Sequence, residues 1–304
     1  MTRSDWRIGM VGLGALGLPM AVNLHRAGYA LQVHTRSRYA EADPDLADTK
    51  ACASPAAAAE GVDVLLLCVS DDAAVHAVLF GINGAAKRLK PGSIVIDCST
   101  ISPKGAQDAA AALQHQGVRF LDAPVTGGTE GARAGTLTVL VGGEPAVLEQ
   151  VRPLLEVIGS SIHHFGPVGC GQQVKAVNQV LVAGSYAAAA EAIALGQRLG
   201  LPMPAVVEAL RQGAAGSWAL SHRASAMIKG HYPLGFKLAL HHKDLGIALE
   251  AAEASQIELP ISALVQRMEQ QLMDAGYSDD DVAALHRWSN LSAQDGTAST
   301  QQSD

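Results

Sequence analysis

The chain has 304 residues, 48% hydrophobic and 17% charged, which is long for one core and suits two. A formal net charge of −7 and only 4% aromatics exclude a general nucleic-acid binder, which needs basic patches for phosphates and aromatic faces for bases. The four cysteines, Cys52, Cys68, Cys98 and Cys170, have no C-x-x-C spacing, so neither a zinc motif nor a thioredoxin-like motif is present; reduced thiols in a cytoplasmic protein are expected.

Arg3 and Arg7 ahead of an apolar stretch imitate a secretory leader, but no small-residue cleavage site follows, so the stretch reads as part of the fold. "RIGMVGL" (7–13) is a short apolar run of the kind a buried parallel strand needs. It leads into "GLGALG" (12–17) and then a helical pattern, "LPMAVNLHRAGY". Gly12, Gly14 and Gly17 thus form G-x-G-x-x-G between a strand and a helix. The first allows a tight turn, the second a close approach to a pyrophosphate, and the third close packing of helix on sheet. Ala15 and Leu16 complete the turn, and the helix N-terminus behind it offers amides and a positive dipole end.

A second strand, "LQVHTR" (31–36), ends where an acidic residue would bind the ribose 2′-hydroxyl of NAD. Arg36, Ser37 and Arg38 stand there instead, and a guanidinium suits a 2′-phosphate. NADP is therefore expected ahead of NAD, unless the arginines are simply solvated. Further apolar runs at 62–69, 93–99, 119–125 and 137–143 alternate with helical stretches such as 72–80 and 103–116, the pattern of an α/β, doubly wound, largely parallel sheet. Val69 and Ser70 end one strand and are expected on the adenosine side. Ser99 and Thr100 end another and are expected near the nicotinamide ribose. "TGG" at 126–128 follows a strand. Two glycines let consecutive amides face one anion, and Thr126 adds a hydroxyl; a carboxylate is a natural guest, a plain turn the alternative.

Strand signals stop near residue 165. "GPVGCG" (166–171) opens a helical pattern that runs to about Leu199 and halts at "GLPMP". Further helices are expected at about 204–213, 217–229, 238–254 and 260–275. Residues 180–196 are apolar and Ala-rich, yet Asn178, Gln179 and Glu191 make them a core or interface helix rather than a membrane span. The organisation expected is a Rossmann-type dinucleotide domain (1–165), an all-α domain for substrate and oligomer contacts (166–288) and a polar, disordered tail (289–304).

Lys175 lies inside that long helix, with Asn178 and Gln179 three and four positions on and so on the same face. Such a stripe would form one wall of a cleft; a lysine snorkelling at a helix start is the alternative. Lys243 and Asp244, in "HHKDL", read equally as solvated helix charges. The adjacent pairs His163–His164 and His241–His242 diverge, and no H-E-x-x-H occurs, so no metal is expected.

Four blocks carry a family resemblance: "GLGALGLPM" (12–20), "DAPVTGGTEGARAGTLTVLVGG" (122–143), "GCGQQVKAVNQ" (169–179) and "GFKLALHHKDL" (235–245). With them, the chain up to about residue 288 resembles the β-hydroxyacid dehydrogenases, among them the 3-hydroxyisobutyrate dehydrogenases and the tartronate semialdehyde (2-hydroxy-3-oxopropionate) reductases. "VIDCSTISP" (95–103) and "KAVNQ" look more like the second branch. One departure is Thr126, where the family usually has serine; the hydroxyl is kept.

The resemblance implies an NAD(P)-dependent oxidoreductase that interconverts a small β-hydroxy acid and its semialdehyde. It makes Lys175 the catalytic acid and base, with a pKa lowered by burial toward the useful range. Asn178 becomes its substrate-binding partner. Thr126, Gly127 and Gly128 hold the carboxylate, Lys243 reaches cofactor and substrate, and Asp244 fixes local structure. It also implies a homodimer or homotetramer, with neither nucleic acid nor membrane as partner. A 3-hydroxyisobutyrate dehydrogenase and a succinic semialdehyde or glyoxylate reductase are the nearest alternatives. Imine reductases and non-catalytic dinucleotide-binding relatives lose the lysine, so its presence weighs against both.

Overall fold

A computed structural model describes residues 6–36 and 44–289. The chain divides into two compact units, Met1–Lys175 and Ala176–Asp304. In chain order the first holds β1 (Arg7–Val11), α1 (Gly17–Arg26), β2 (Ala30–His34), β3 (Lys50–Ala51), α2 (Pro55–Ala58), β4 (Val64–Leu67), α3 (Asp72–Phe80), β5 (Ile94–Asp97) and α4 (Pro103–Gln114). It continues with β6 (Arg119–Asp122), β7 (Val125–Thr126), α5 (Gly128–Ala134), β8 (Leu137–Gly143), α6 (Pro145–Ile158), β9 (Gly159–His164) and the opening of α7 (Cys170–Arg198).

The sheet runs β3-β2-β1-β4-β5-β6-β8-β7, with β9 beside β8. Pairing is parallel from β3 through to β6, as the alternation of apolar runs and helices requires, whereas β8 runs antiparallel to both β6 and β7. Side chains alternate between two covered faces. Ile8, Met10, Val64, Leu66, Ile94 and Ile96 enter one core, while Val11, Leu65, Leu67 and Val95 enter the other. Helix starts are chemically marked. Asp71 accepts from the Ala74 N–H to cap α3, and Ser102 accepts from the Gly105 N–H to cap α4, which has proline in its first turn.

The run at 119–125, read as one strand, is two. Pro124 has no N–H to donate, and the chain breaks at Ala123–Pro124. Val125 and Thr126 then pair antiparallel with Val139 and Thr138. Thr126 therefore lies within a short strand rather than beyond one.

The second unit holds the rest of α7, then α8 (Met203–Leu210), α9 (Trp218–Lys229), α10 (Leu238–Ala254), α11 (Pro260–Asp274) and a 3-10 turn, Val282–Arg287. α7 is long and apolar enough to cross a membrane by length and composition, but Ala183, Tyr186, Ala190 and Ile193 on it are buried with Leu220, Met227, Leu245, Val265, Leu272 and Leu285. Two buried polar groups tie this unit together. Asp281 accepts from the Gly235, Phe236 and Ala283 N–H groups and pairs with Arg223 at 3.4 Å. His241 on α10 and Glu269 on α11, both fully buried, meet at 2.5 Å. The polar segment 290–304 lies outside the described residues.

Candidate active site

The turn after β1 is built around its glycines. Gly12 adopts φ +98°, and a Cβ there would lie 2.2 Å from the Cys68 carbonyl oxygen; one at Gly17 would lie 1.9 Å from the Gly12 carbonyl oxygen. Both glycines are required by the fold itself. At Gly14 a Cβ would meet nothing within 4 Å and φ is ordinary. No internal contact demands glycine there, so what it leaves open is outside space against an exposed turn. The N–H groups of Gly14, Ala15 and Leu16 donate to no backbone carbonyl among the described residues, and α1 has no acidic residue in its first turn. Exposed amides, an open glycine and a helix N-terminus fit a dinucleotide pyrophosphate. Arg36 is exposed just beyond β2 with no hydrogen bond or ion pair among the described residues. Ser37 and Arg38 lie outside those residues.

The ends of β4, β5 and β6 are laced together. Ser99 is buried, and its hydroxyl accepts from the Val69 N–H at 2.9 Å. The Ser99 hydroxyl thus ties its loop to the end of β4 and keeps its own O–H as a donor. Ser70 donates to Asp71 at 2.8 Å, and Thr100 is only half-buried. Beneath them lies Asp97, fully buried. Its Oδ1 accepts from the Ser99 N–H, and its Oδ2 has no hydrogen-bond partner among the described residues. Burial pushes this carboxyl up to about 7 despite the Ser99 hydrogen bonds, and the nearby Asp122 and Asp72 charges push the same way. The same burial pushes the Cys68 thiol up to about 12, which makes it inert at neutral pH.

The opening of α7 is anchored three times in the first unit. The Asp122 carboxylate, at the end of β6, accepts from the Gly169 N–H at 2.8 Å and the Gln172 N–H at 2.9 Å and so caps the helix. The buried Gln172 side chain donates to the Ser99 carbonyl at 2.8 Å and accepts from the Ile101 N–H at 3.2 Å, which clamps the loop holding Thr100. Lys175, only 7% exposed, donates to the Val125 carbonyl oxygen at 2.9 Å. That carbonyl immediately precedes Thr126, whose hydroxyl has no partner among the described residues, and then Gly127 and Gly128, with φ +127° and +66°. Lys175, the Thr126–Gly128 turn and the Thr100 loop are thus tied into one unit.

The second unit carries Asn178, Gln179, Lys243 and Asp244. Asn178 Nδ2 donates to Gln179 Oε1 at 2.7 Å, and Gln179 Nε2 donates to Asp244 Oδ2 at 2.8 Å. Lys243 Nζ lies 2.9 Å from Asp244 Oδ1 as an ion pair without hydrogen-bond alignment. Among the described residues no group of three metal-ligating side chains converges.

Asp97, Asp122 and Gln172 carry no chemical signature of their own in the sequence, and Gln179 stands there only as a neighbour of Lys175 on one helix face. An aspartate at the end of a strand, and glutamines in and after the first turn of an otherwise apolar helix, were the available signals.

An open glycine turn at a helix N-terminus, with a buried lysine held next to the Thr126–Gly128 turn, suits a nicotinamide-dependent oxidoreductase. Residues 7–166 match a family described as the NAD-binding domain of 6-phosphogluconate dehydrogenase, and residues 169–289 one described as NAD-binding of NADP-dependent 3-hydroxyisobutyrate dehydrogenase. The 2-hydroxy-3-oxopropionate reductase of Escherichia coli is 39% identical over 281 residues, 92% of this chain and 95% of that one. The NAD-dependent L-serine dehydrogenase of Pseudomonas aeruginosa is 38% identical over 288 residues, 92% and 97% of the two chains. The crystal structure of 3-hydroxyisobutyrate dehydrogenase from Salmonella typhimurium superposes with a TM-score of 0.86 at 34% identity, covering 93% of this chain and 99% of that one. The chain belongs to the β-hydroxyacid dehydrogenase family. It is an oxidoreductase acting on hydroxyl groups of β-hydroxy acids with a nicotinamide dinucleotide.

Proposed function

We propose that this enzyme reduces tartronate semialdehyde, or a close carboxylate-bearing aldehyde, with NADPH, and oxidises the matching β-hydroxy acid in reverse. The observation that carries the reading is the Lys175 ammonium, buried and held 2.9 Å from the Val125 carbonyl oxygen next to the Thr126–Gly128 turn. A nicotinamide held at the Gly12–Gly17 turn would supply or take the hydride at the substrate carbon. As that carbon gains hydride, its oxygen gains charge and needs a proton. Lys175 stabilises the charge and delivers the proton from Nζ; in oxidation the neutral amine takes it back. Thr126 and the Gly127 and Gly128 amides hold the carboxylate. Asn178 and Lys243 would take the substrate contacts that the family resemblance implies, and Gly12–Gly17, Val69, Ser70, Ser99 and Thr100 would line the cofactor.

The relatives' names include both cofactors, NADP for one and NAD for another, so kinship does not decide between them. What supports NADP is Arg36, exposed beyond β2 with no acidic residue between 30 and 40. Purified protein and NADPH, mixed in turn with tartronate semialdehyde, glyoxylate, succinic semialdehyde and methylmalonate semialdehyde, test the reading. NADPH is consumed fastest with the first; silence across the panel would favour a dinucleotide-binding protein without catalysis.

The same reading includes a second copy of the chain as partner. Val177, Leu181 and Leu195 leave an apolar stripe exposed along α7, continued by Leu199 just past its end, with Leu181 at 70%. Light scattering then gives a dimer or tetramer mass, and a monomer at working concentration rejects the partner.

A further inference from the structure

The side chains around Gln179 are joined in one direction only. A carboxylate can accept but not donate, so Asp244, already paired with the Lys243 ammonium, forces Gln179 to present its NH2. Gln179 must then turn its carbonyl oxygen to Asn178, and Asn178 must answer with its own NH2. The chain Lys243–Asp244–Gln179–Asn178 thereby fixes which end of the Asn178 carboxamide is spent. Asn178 Oδ1 carries no hydrogen bond among the described residues. Gln179 is itself 1% exposed, so it serves as an internal connector rather than a contact for a ligand.

We infer that Gln179 is a positioning residue that sets Asn178 as a hydrogen-bond acceptor, so that the enzyme selects substrates bearing a hydroxyl or ammonium donor next to the reacting carbon over analogues with a methyl group there. The inference rests on the proposed function, which makes Asn178 a substrate contact. It sharpens that contact: Asn178 meets a donor on the substrate, not the aldehyde oxygen, which Lys175 serves. An acceptor left facing a methyl group loses its hydrogen bond to water and gains none, a cost that falls on the wrong substrate alone.

The test compares kcat/KM with NADPH for 2-hydroxy-3-oxopropanoate and 2-methyl-3-oxopropanoate, which differ by hydroxyl against methyl. The wild type favours the hydroxyl substrate by about tenfold or more. Gln179→Met removes both hydrogen bonds of the connector and brings that ratio down toward unity. Asp244→Asn, which keeps volume but can also donate, frees the direction of the chain and lowers the ratio as well, so the test survives if the first variant folds poorly. On an Asn178→Ala background, Gln179→Met changes the ratio no further. The ratio is the readout because a general structural loss lowers both substrates and leaves it in place. Turnover of both substrates with an unchanged or inverted ratio in the variants overturns the inference alone; turnover of neither by the wild type removes the proposed function, and the inference with it.

Discussion

Lys175 Nζ donates to the Val125 carbonyl oxygen at 2.9 Å, one residue before the Thr126–Gly128 turn. A buried ammonium needs compensation, and a carbonyl dipole supplies part of it. The same contact fixes where the remaining protons of the ammonium point. Lys175→Arg keeps a cation but spreads it over a planar fork that does not give up its proton in a protein. We expect its kcat to fall by about two orders of magnitude or more, the usual worth of a placed general acid, with NADPH affinity retained. Fluorescence titration with NADPH and steady-state kinetics check this; turnover near wild type speaks against proton delivery by Lys175.

Arg36→Ala tests the cofactor choice. Removing a charge-assisted contact to a 2′-phosphate costs about 1.5–3 kcal/mol, roughly a ten- to hundredfold rise in the KM for NADPH. NADH has no such phosphate, so its KM barely moves. Equal changes for both cofactors would assign the preference elsewhere.

Gln172→Leu leaves the Ser99 carbonyl and the Ile101 N–H buried without partners. Each orphaned group costs about 1–3 kcal/mol, offset where the loop shifts to reach water. The Thr100 loop then loses its fixed position, so the variant unfolds at lower denaturant and binds NADPH more weakly. Unchanged midpoint and affinity would mean that the clamp is idle.

Asp97 gives the stability a pH signature. Its carboxyl titrates near 7 in the folded protein, above the ordinary 3.8. Between these values the folded state holds a proton that the unfolded state has lost. The contribution is complete below 3.8, fades as pH rises, and is gone above about 7, a span on the order of 4 kcal/mol. Burial pushes Asp122 the same way, so a shallower slope persists without Asp97. Asp97→Asn should flatten the decline across that window and exceed the wild type in stability at pH 8. Parallel denaturation curves at every pH would exclude this role.

Asp281→Ala tests the second unit. It removes the carboxylate paired with the buried Arg223 and frees three N–H groups, and breaking one side of a buried pair costs about 3–5 kcal/mol. Far-ultraviolet melting should show helix lost early while NADPH binding by the first unit persists.

Much of the fold is legible in the residues because it follows local period. Val64–Leu67 is apolar on both faces and Ile94–Asp97 nearly so, as buried parallel strands must be. β9 escapes notice because "GSSIHH" is a half-exposed polar strand without alternating apolar residues. β7 hides behind Pro124. Lys175, Asn178 and the glycines can be found because they share one turn or one helix. The connectors cannot: Gln172 finds Ser99 across 73 positions and Gln179 finds Asp244 across 65, distances that only the folded backbone closes.

The proposed role of Lys175 is delivery of the proton that completes carbonyl reduction. Its most direct measurement is single-turnover NADPH oxidation by Lys175→Ala saturated with 2-hydroxy-3-oxopropanoate, beside NADPH titration of the same sample. The expected result is wild-type cofactor affinity with oxidation nearly abolished. Oxidation at close to the wild-type rate would contradict it.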